Sequence, residues 1–148
     1  MSRLSFKAFC TEKYADFKSI PSNEVYKLFE ENGVIQMLNR DYDILHGFGF
    51  EYIVRDIDQY VFNVLKTCLN RESEPTMPHG TIRAATLPAI VNLIMEKYNT
   101  DEDHAMKMFY HSHTGSCYSD DDSGLYGQSA LYVFSLFAEE FEKESRLP

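Results

Sequence analysis

Apolar residues in this chain recur every three to four positions and nowhere sustain a two-residue alternation, and that period constrains the fold more than any other feature. Phe50, Ile53, Val54, Ile57, Tyr60, Val61, Val64, Leu65 and Cys68 form the most regular stripe, the pattern of a helix with one buried face. Leu4 to Phe17 carries Phe6, Phe9, Cys10, Tyr14 and Phe17 at the same spacing, which leaves Lys7, Glu12, Lys13 and Asp16 for the surface. A second helix follows Pro21, with Ser19 or Ser22 as its cap. Its stripe of Val25, Tyr26, Leu28 and Phe29 stops at Asn32-Gly33, with Gly33 as a left-handed terminator. Val34 to Asn39 reads as a short helical segment.

Pro75, Pro78 and Gly80 among polar neighbours break the long stripe, so residues 71–85 read as a linker. Beyond it Thr86 is the expected N-cap of a helix carrying Ile90, Val91, Ile94, Met95 and Tyr98. Thr100 and Asp103 form a candidate capping box for the next, with Ala105, Met106, Met108, Phe109 and Tyr110. His113 to Gln128 reads as loop with at most one helical turn. The last helix, Ser129 to Glu144, directs Leu131, Tyr132, Phe134, Phe137 and Phe141 inward.

The stripes contain a recurrence. Glu12-Lys13-Tyr14 reappears as Glu96-Lys97-Tyr98. After a loop four residues shorter, Lys27-Leu28-Phe29 aligns with Lys107-Met108-Phe109. At that register Asp41 meets Asp121, Leu45 meets Leu125, Gly47 meets Gly127 and Tyr52 meets Tyr132. Val54, Ile57 and Val61 meet Phe134, Phe137 and Phe141. The expected fold is therefore all-α: a compact helical bundle built from two related multi-helix halves, residues 1–70 and 86–148, packed as one globule. A unit of some sixty residues is marginal alone, so the two halves are expected to share a core.

Composition narrows the setting. Hydrophobic residues are 44% of the 148 and charged residues 25%, which excludes global disorder. No apolar run reaches the roughly 18 to 20 residues of a membrane span, and no basic-then-apolar signal opens the chain. Three widely spaced cysteines, Cys10, Cys68 and Cys117, argue against a disulfide framework and for the cytosol. A formal charge of -9 repels phosphate backbones, so direct nucleic-acid binding is not expected; basic proteins or small molecules are the fitting partners.

No spacing of residues amounts to a catalytic, cofactor-binding or metal-binding signature. His111, His113 and Cys117 are ligand types that zinc prefers, but a fourth at standard spacing is missing, and His104 or His79 would have to approach in space. Asp120-Asp121-Asp122 opens no calcium loop, because the sixth and twelfth positions hold Leu125 and Leu131 rather than Gly and Glu. Gly47-Phe48-Gly49 lacks the third glycine of a dinucleotide fingerprint. Asp41, Asp43, His46 and Glu51 could perform acid-base work, yet no nucleophile or phosphate cradle accompanies them; capping a helix is the plainer role.

The blocks Phe9-Cys10-Thr11-Glu12-Lys13-Tyr14, Glu24-Val25-Tyr26-Lys27-Leu28-Phe29, Asp41-Tyr42-Asp43-Ile44-Leu45-His46-Gly47 and Tyr52-Ile53-Val54-Arg55-Asp56-Ile57 resemble a family of short bacterial helical proteins of unknown function, domain three-seven-nine-one. The second half resembles related members through Ala105 to Ser112, Gly124 to Ser129 and Tyr132-Val133-Phe134. The resemblance implies a small helical fold without assigned catalytic residues. Such proteins tend to be encoded beside ADP-ribosyltransferase-like proteins, which implies a toxin-neutralising or accessory role.

The expected function is that of a non-catalytic protein-interaction module, an antitoxin or accessory partner of an ADP-ribosyltransferase-like protein. Tyr42, His46, Tyr118, Asp120, Asp121, Asp122 and Tyr126 are its candidate partner-binding residues, the tyrosines as exposed anchors. Two readings stand beside it: an acidic phage-type inhibitor that mimics nucleic acid, and a small enzyme using the His46 or His111 cluster. A homodimer is left open.

Overall fold

The computed structural model describes residues 2–65 and 79–146, apart from the side chains of 62–65 and 146. Cys68 and linker residues 71–78 lie outside the described residues. Every regular element among those described is helical: α1 (Arg3–Lys18), α2 (Ser22–Glu31), α3 (Val34–Arg40), α4 (Tyr42–Leu45), α5 (Phe50–Leu65), α6 (Gly80–Tyr98), α7 (Glu102–His111), α8 (His113–Ser119) and α9 (Ala130–Arg146). Two 3-10 turns, Asp121–Ser123 and Leu125–Gly127, join α8 to α9. None of these helices is long and apolar enough to cross a membrane.

α1 occupies the centre, with α6 along it and α2, α3 and α5 around it. It is buried on most sides, and the side chains that face inward include two charged ones, Lys7 and Glu12. Those two were expected at the surface; periodicity places a residue on a face but does not say how many faces are covered. Lys7 is held by Glu102 at 2.6 Å and by Asp103 of α7. Phe17, expected inside, is instead exposed beyond the last buried turn.

The helix ends recur at a fixed interval. α2 and α7 begin at Ser22 and Glu102, eighty positions apart, and α5 and α9 begin at Phe50 and Ala130, eighty again. α1 ends at Ser19 (φ 55°) and α6 at Asn99 (φ 50°), both left-handed and eighty apart. Each end is closed by the same bond, Ile20 N to Ala15 O and Thr100 N to Met95 O. The Glu12-Lys13-Tyr14 pairing with residues 96–98 lies four positions out of step with this interval. The interval sets Arg83 against Arg3, and the loops after α1 and α6 are equal in length. α1 packs on α6 and α2 on α7, and Tyr26 stacks on Tyr110 across the latter contact at 4.7 Å.

Several boundaries differ from expectation. α6 begins at Gly80, six residues before Thr86, so 80–85 is helix and not linker. Thr86 is no cap; its hydroxyl donates to the Ile82 carbonyl. Pro88 sits inside the helix, and the reason α6 reaches back past it is tertiary: Gly80 N–H donates to Asp16 at 3.0 Å and Arg83 is drawn into the core. A Cβ at Gly80 would collide with the Asp16 carboxyl. α7 is capped by Asp101, which accepts from His104 N–H, rather than by Thr100. Ser22 lies buried within α2 and Ser19 ends α1, so neither caps α2, whose N-cap is Pro21.

The segment expected to be loop after His113 forms α8 because two caps converge on its first turn. Ser112 accepts from Gly115 N–H, and Glu140 of α9 accepts from the N–H groups of His113 and Thr114 at 2.7 and 2.9 Å. Gly115 lies against the α7 backbone, where a Cβ would fall on the Phe109 carbonyl. Nothing lies within 4 Å of a Cβ at Gly127. Gly115→Ala is therefore expected to destabilise the fold by about 1–3 kcal/mol, the usual cost of overpacking, and Gly127→Ala to have little effect. Urea unfolding of the two variants measures the difference.

Candidate functional site

Glu12 and Asp16 stand one turn apart on α1, and Arg83, in the first turn of α6, meets both. Its Nε donates to Glu12 Oε2 at 2.7 Å, one terminal nitrogen approaches Asp16 at 3.5 Å, and the other donates to Asp121 on the first 3-10 turn. Tyr110 of α7 donates to the second Glu12 oxygen at 2.7 Å, and Tyr118 of α8 donates to the Arg83 carbonyl at 2.8 Å. Glu12 is wholly buried and Arg83 nearly so. His79 approaches Asp121 at 3.2 Å and stacks on Tyr126 at 4.2 Å. One cation thus joins α1, α6 and the 3-10 turn, and its neighbours extend the network to α7 and α8.

The charges answer to this geometry. Burial pushes the Glu12 carboxyl above its ordinary 4.5, against the pull of Arg83 and of its hydrogen bonds. Burial likewise raises Asp16 above 3.8, opposed by Arg83 and by the Gly80 N–H. The Tyr110 hydroxyl is raised well above 10 by burial beside Glu12, so it stays protonated and donates.

The network forms one wall of a cleft of about 620 Å³ between the end of α1, the start of α2 and α8. Asp16, Arg83, Ser116, Cys117, Ser119 and Asp120 to Asp122 line it. His113 and Cys117 also line a smaller cleft of about 430 Å³ against α9.

The candidate residues divide between the two halves. Tyr42 is half-buried, edge-on to Phe6 at 5.4 Å and stacked on His46 at 4.7 Å. His46 is exposed, and its Nδ1 donates to the Tyr42 carbonyl at 2.6 Å. Asp120, Asp121 and Asp122 line the large cleft. Tyr126 is half-buried against His79, with the Arg83 guanidinium 5.9 Å from its ring. Tyr118 is a correction: it is completely buried, edge-on to Phe109, and no exposed anchor. It falls in the register of Leu38, another core position.

The histidines do not converge. His111 bonds Glu30 at 2.8 Å, while His113 Nε2 lies 3.6 Å from Cys117 Sγ. Among the described residues no three His, Cys, Asp or Glu side chains gather as a metal site. Neither His46 nor His111 lines either cleft.

Sequence reasoning missed Glu12 and Arg83, the first because it was assigned to an outer face and the second because it was assigned to the linker. No local signal in the sequence marks Arg83, because its partners Glu12 and Asp16 lie on α1, 71 and 67 positions away.

Residues 5–63, from α1 into the last turns of α5, match the model of a protein family of unknown function, DUF3791. Neither a curated protein nor a solved structure matches the chain. Glu12 and Asp16 lie within the matched segment, whereas Arg83 and Asp121 lie beyond its last residue, so the central ion cluster joins that segment to the remainder of the chain.

Arg83→Met should destabilise the protein by about 3–5 kcal/mol, because Glu12 is left as an uncompensated buried charge; Arg83→Met with Glu12→Gln should recover part of that loss. Chemical unfolding of the single and double variants reads both. The pH dependence has a definite sign. A carboxyl whose folded value is raised binds more protons folded than unfolded, so its contribution is full below the unfolded value and is lost as pH rises through the folded one. Above pH 4.5, the ordinary value for Glu12, the parent should therefore lose stability more steeply with rising pH than Glu12→Gln, as thermal melts across the range will report. Equal slopes would contradict the raised value.

Proposed function

We propose that the chain is a non-catalytic protein-interaction module whose DUF3791 unit offers an aromatic face to a protein partner. The observation that carries this reading is a group of large apolar side chains at the surface: Phe17 is 61% exposed, Ile44 64%, Phe48 46% and Tyr52 48%. Ile44, Phe48 and Tyr52 follow at four-residue steps from α4 into α5. Phe48 stacks on Tyr52 at 4.6 Å. Phe17 meets Phe50 at 6.4 Å, and Phe50 in turn meets Phe9 at 5.8 Å. Exposed aromatic groups of this kind serve as interface anchors, and they replace Tyr118 in that role. Asp43 and Glu51 are exposed beside them, so the complementary surface is an apolar groove with a basic rim.

The partner we propose is an ADP-ribosyltransferase-like protein, as the family resemblance implies, with the chain acting as its antitoxin or accessory subunit in a reducing cytosol. The two halves are proposed to be related copies. The shared eighty-residue interval supports this, as do the positions buried in both, Val25 with Ala105, Phe29 with Phe109, Ile53 with Val133 and Ile57 with Phe137. The acidic inhibitor reading draws on the charge of -9 and predicts a steep loss of binding with salt, which an apolar interface does not. The enzyme reading draws no support from His46 or His111, since both stand outside the clefts.

Co-expression with an ADP-ribosyltransferase-like protein, followed by titration calorimetry, tests the module. Replacing Phe48 and Tyr52 together with Ser is expected to weaken the complex by more than about tenfold, given the cost of truncating aromatic anchors. Because both sites are exposed, the melting temperature of the free chain should stay nearly unchanged. Absence of a complex, or an undiminished affinity in the variant, would reject the reading.

A further inference from the structure

Asn23 stands in the first turn of α2 and lines the large cleft. It is only 9% exposed, yet among the described residues neither the oxygen nor the nitrogen of its carboxamide makes a hydrogen bond. Neither atom is sealed from solvent, so what remains of their access is through the cleft. Asn32 and Asn39, both less buried, do donate, to the Leu28 carbonyl at 2.8 Å and to Asp103 at 3.0 Å.

The main chain is unmet at the same point. Pro21 is the N-cap of α2, and no side chain caps the helix. The first N–H groups with an acceptor are those of Glu24 and Val25, both onto the Pro21 carbonyl, at 3.0 and 3.1 Å; the Asn23 N–H has none among the described residues. First-turn N–H groups call for an acceptor from outside the helix. A buried amide without a partner lowers stability, which an apolar side chain of the same size would not do. Three hydrogen-bonding groups of one residue are thus unmet beside a cleft of about 620 Å³, within the roughly 300–1,000 Å³ of small-ligand sites.

The unmet groups define the ligand. A carboxamide offers an acceptor and a donor side by side in one plane, and another amide meets both at once. Its carbonyl accepts from Asn23 Nδ2 while its N–H donates to Asn23 Oδ1. A carboxylate would leave Oδ1 unmet. The lining also sets five carboxylates, those of Asp16, Glu24 and Asp120 to Asp122, against the single guanidinium of Arg83, a field that repels nucleotides and other anions.

We propose that the cleft binds the main chain of a neutral or basic peptide, recognised through an amide-to-amide pair with Asn23. The site is separate from the aromatic face, since none of Phe17, Ile44, Phe48 and Tyr52 lines the cleft. Asn23 is on this account a binding residue that the fold itself does not use.

The isotope-labelled full-length chain is titrated, by NMR, with N-acetyl glycyl-lysyl-glycinamide, with its glutamyl counterpart and with n-butylammonium, which carries the lysine cation without an amide. The Asn23 side-chain resonance, and the main-chain resonances of Ser116 and Cys117 on the α8 wall, should shift saturably with the lysyl peptide. The glutamyl peptide should bind several-fold more weakly, and butylammonium about tenfold or more weakly, the equivalent of one lost hydrogen bond. Asn23→Leu should lose about tenfold in affinity for the lysyl peptide, read at Ser116 and Cys117, and should melt at or above the temperature of the parent. Unchanged affinity in Asn23→Leu, equal binding of butylammonium, or no shift with the lysyl peptide overturns the proposal. So does a fall in melting temperature, which would make Asn23 a structural residue. Phe48→Ser with Tyr52→Ser should leave peptide binding unchanged, so the cleft and the aromatic face stand or fall separately.

Discussion

The Glu12 to Arg83 pair is the contact on which the rest of the arrangement depends. A carboxylate without exposure to water is tolerated only when each oxygen has a donor, and here Arg83 and Tyr110 supply one each at 2.7 Å. Meeting that requirement fixes where α6 starts, which face of α7 turns inward, and how α8 docks through Tyr118 and the Arg83 carbonyl. A buried ion pair contributes little net stability compared with apolar packing of the same shape, but it strongly penalises arrangements that separate its members. Its consequence is registry: α1 cannot slide or turn on α6 without stranding a charge.

That dependence explains what could and could not be read from the sequence. The stripes of α2, α5 and α7 were legible because each helix covers one face and exposes another. α1 was only half legible. It is enclosed by neighbours, and a helix enclosed on most sides shows Lys7 and Glu12 inside just as a surface helix shows them outside. The partners that settle the matter, Asp103 and Arg83, lie more than seventy residues away. The start of α6 was illegible for the same reason. Locally, Pro88 and Gly80 speak against a helix there; the bonds from Gly80 to Asp16 and from Arg83 to Glu12 overrule them. Gly115 and the Ser112 and Glu140 caps similarly turn a polar, loop-like segment into α8. Long-range polar contacts decided each of these cases, and they leave no periodic trace.

Of the candidate site, the acidic run at Asp120 to Asp122 was legible by composition, and its place on a cleft was not. The aromatic residues depart from expectation in a consistent way. Tyr118, a surface anchor by its polar neighbours, stands at a core position, while Phe17, Leu131 and Tyr132, core by their spacing, stand at the surface. Periodicity weighs each residue by how apolar it is, so an exposed ring within a stripe is counted inward by default. Leu131 and Tyr132 open α9 at the positions where Glu51 and Tyr52 open α5, so part of this exposure recurs in both halves.

Recurrence and departure from it carry different information. Where the halves agree, in the left-handed ends at Ser19 and Asn99 and in the shared buried positions, the cause is folding: each unit must terminate its helices and cover its face. Departures from the recurrence are met by contacts particular to each half. Arg40 and Asp41 pair with each other, whereas eighty positions on the Asp120 carboxylate accepts from the Asp122 N–H to cap the first 3-10 turn and Asp121 pairs with Arg83.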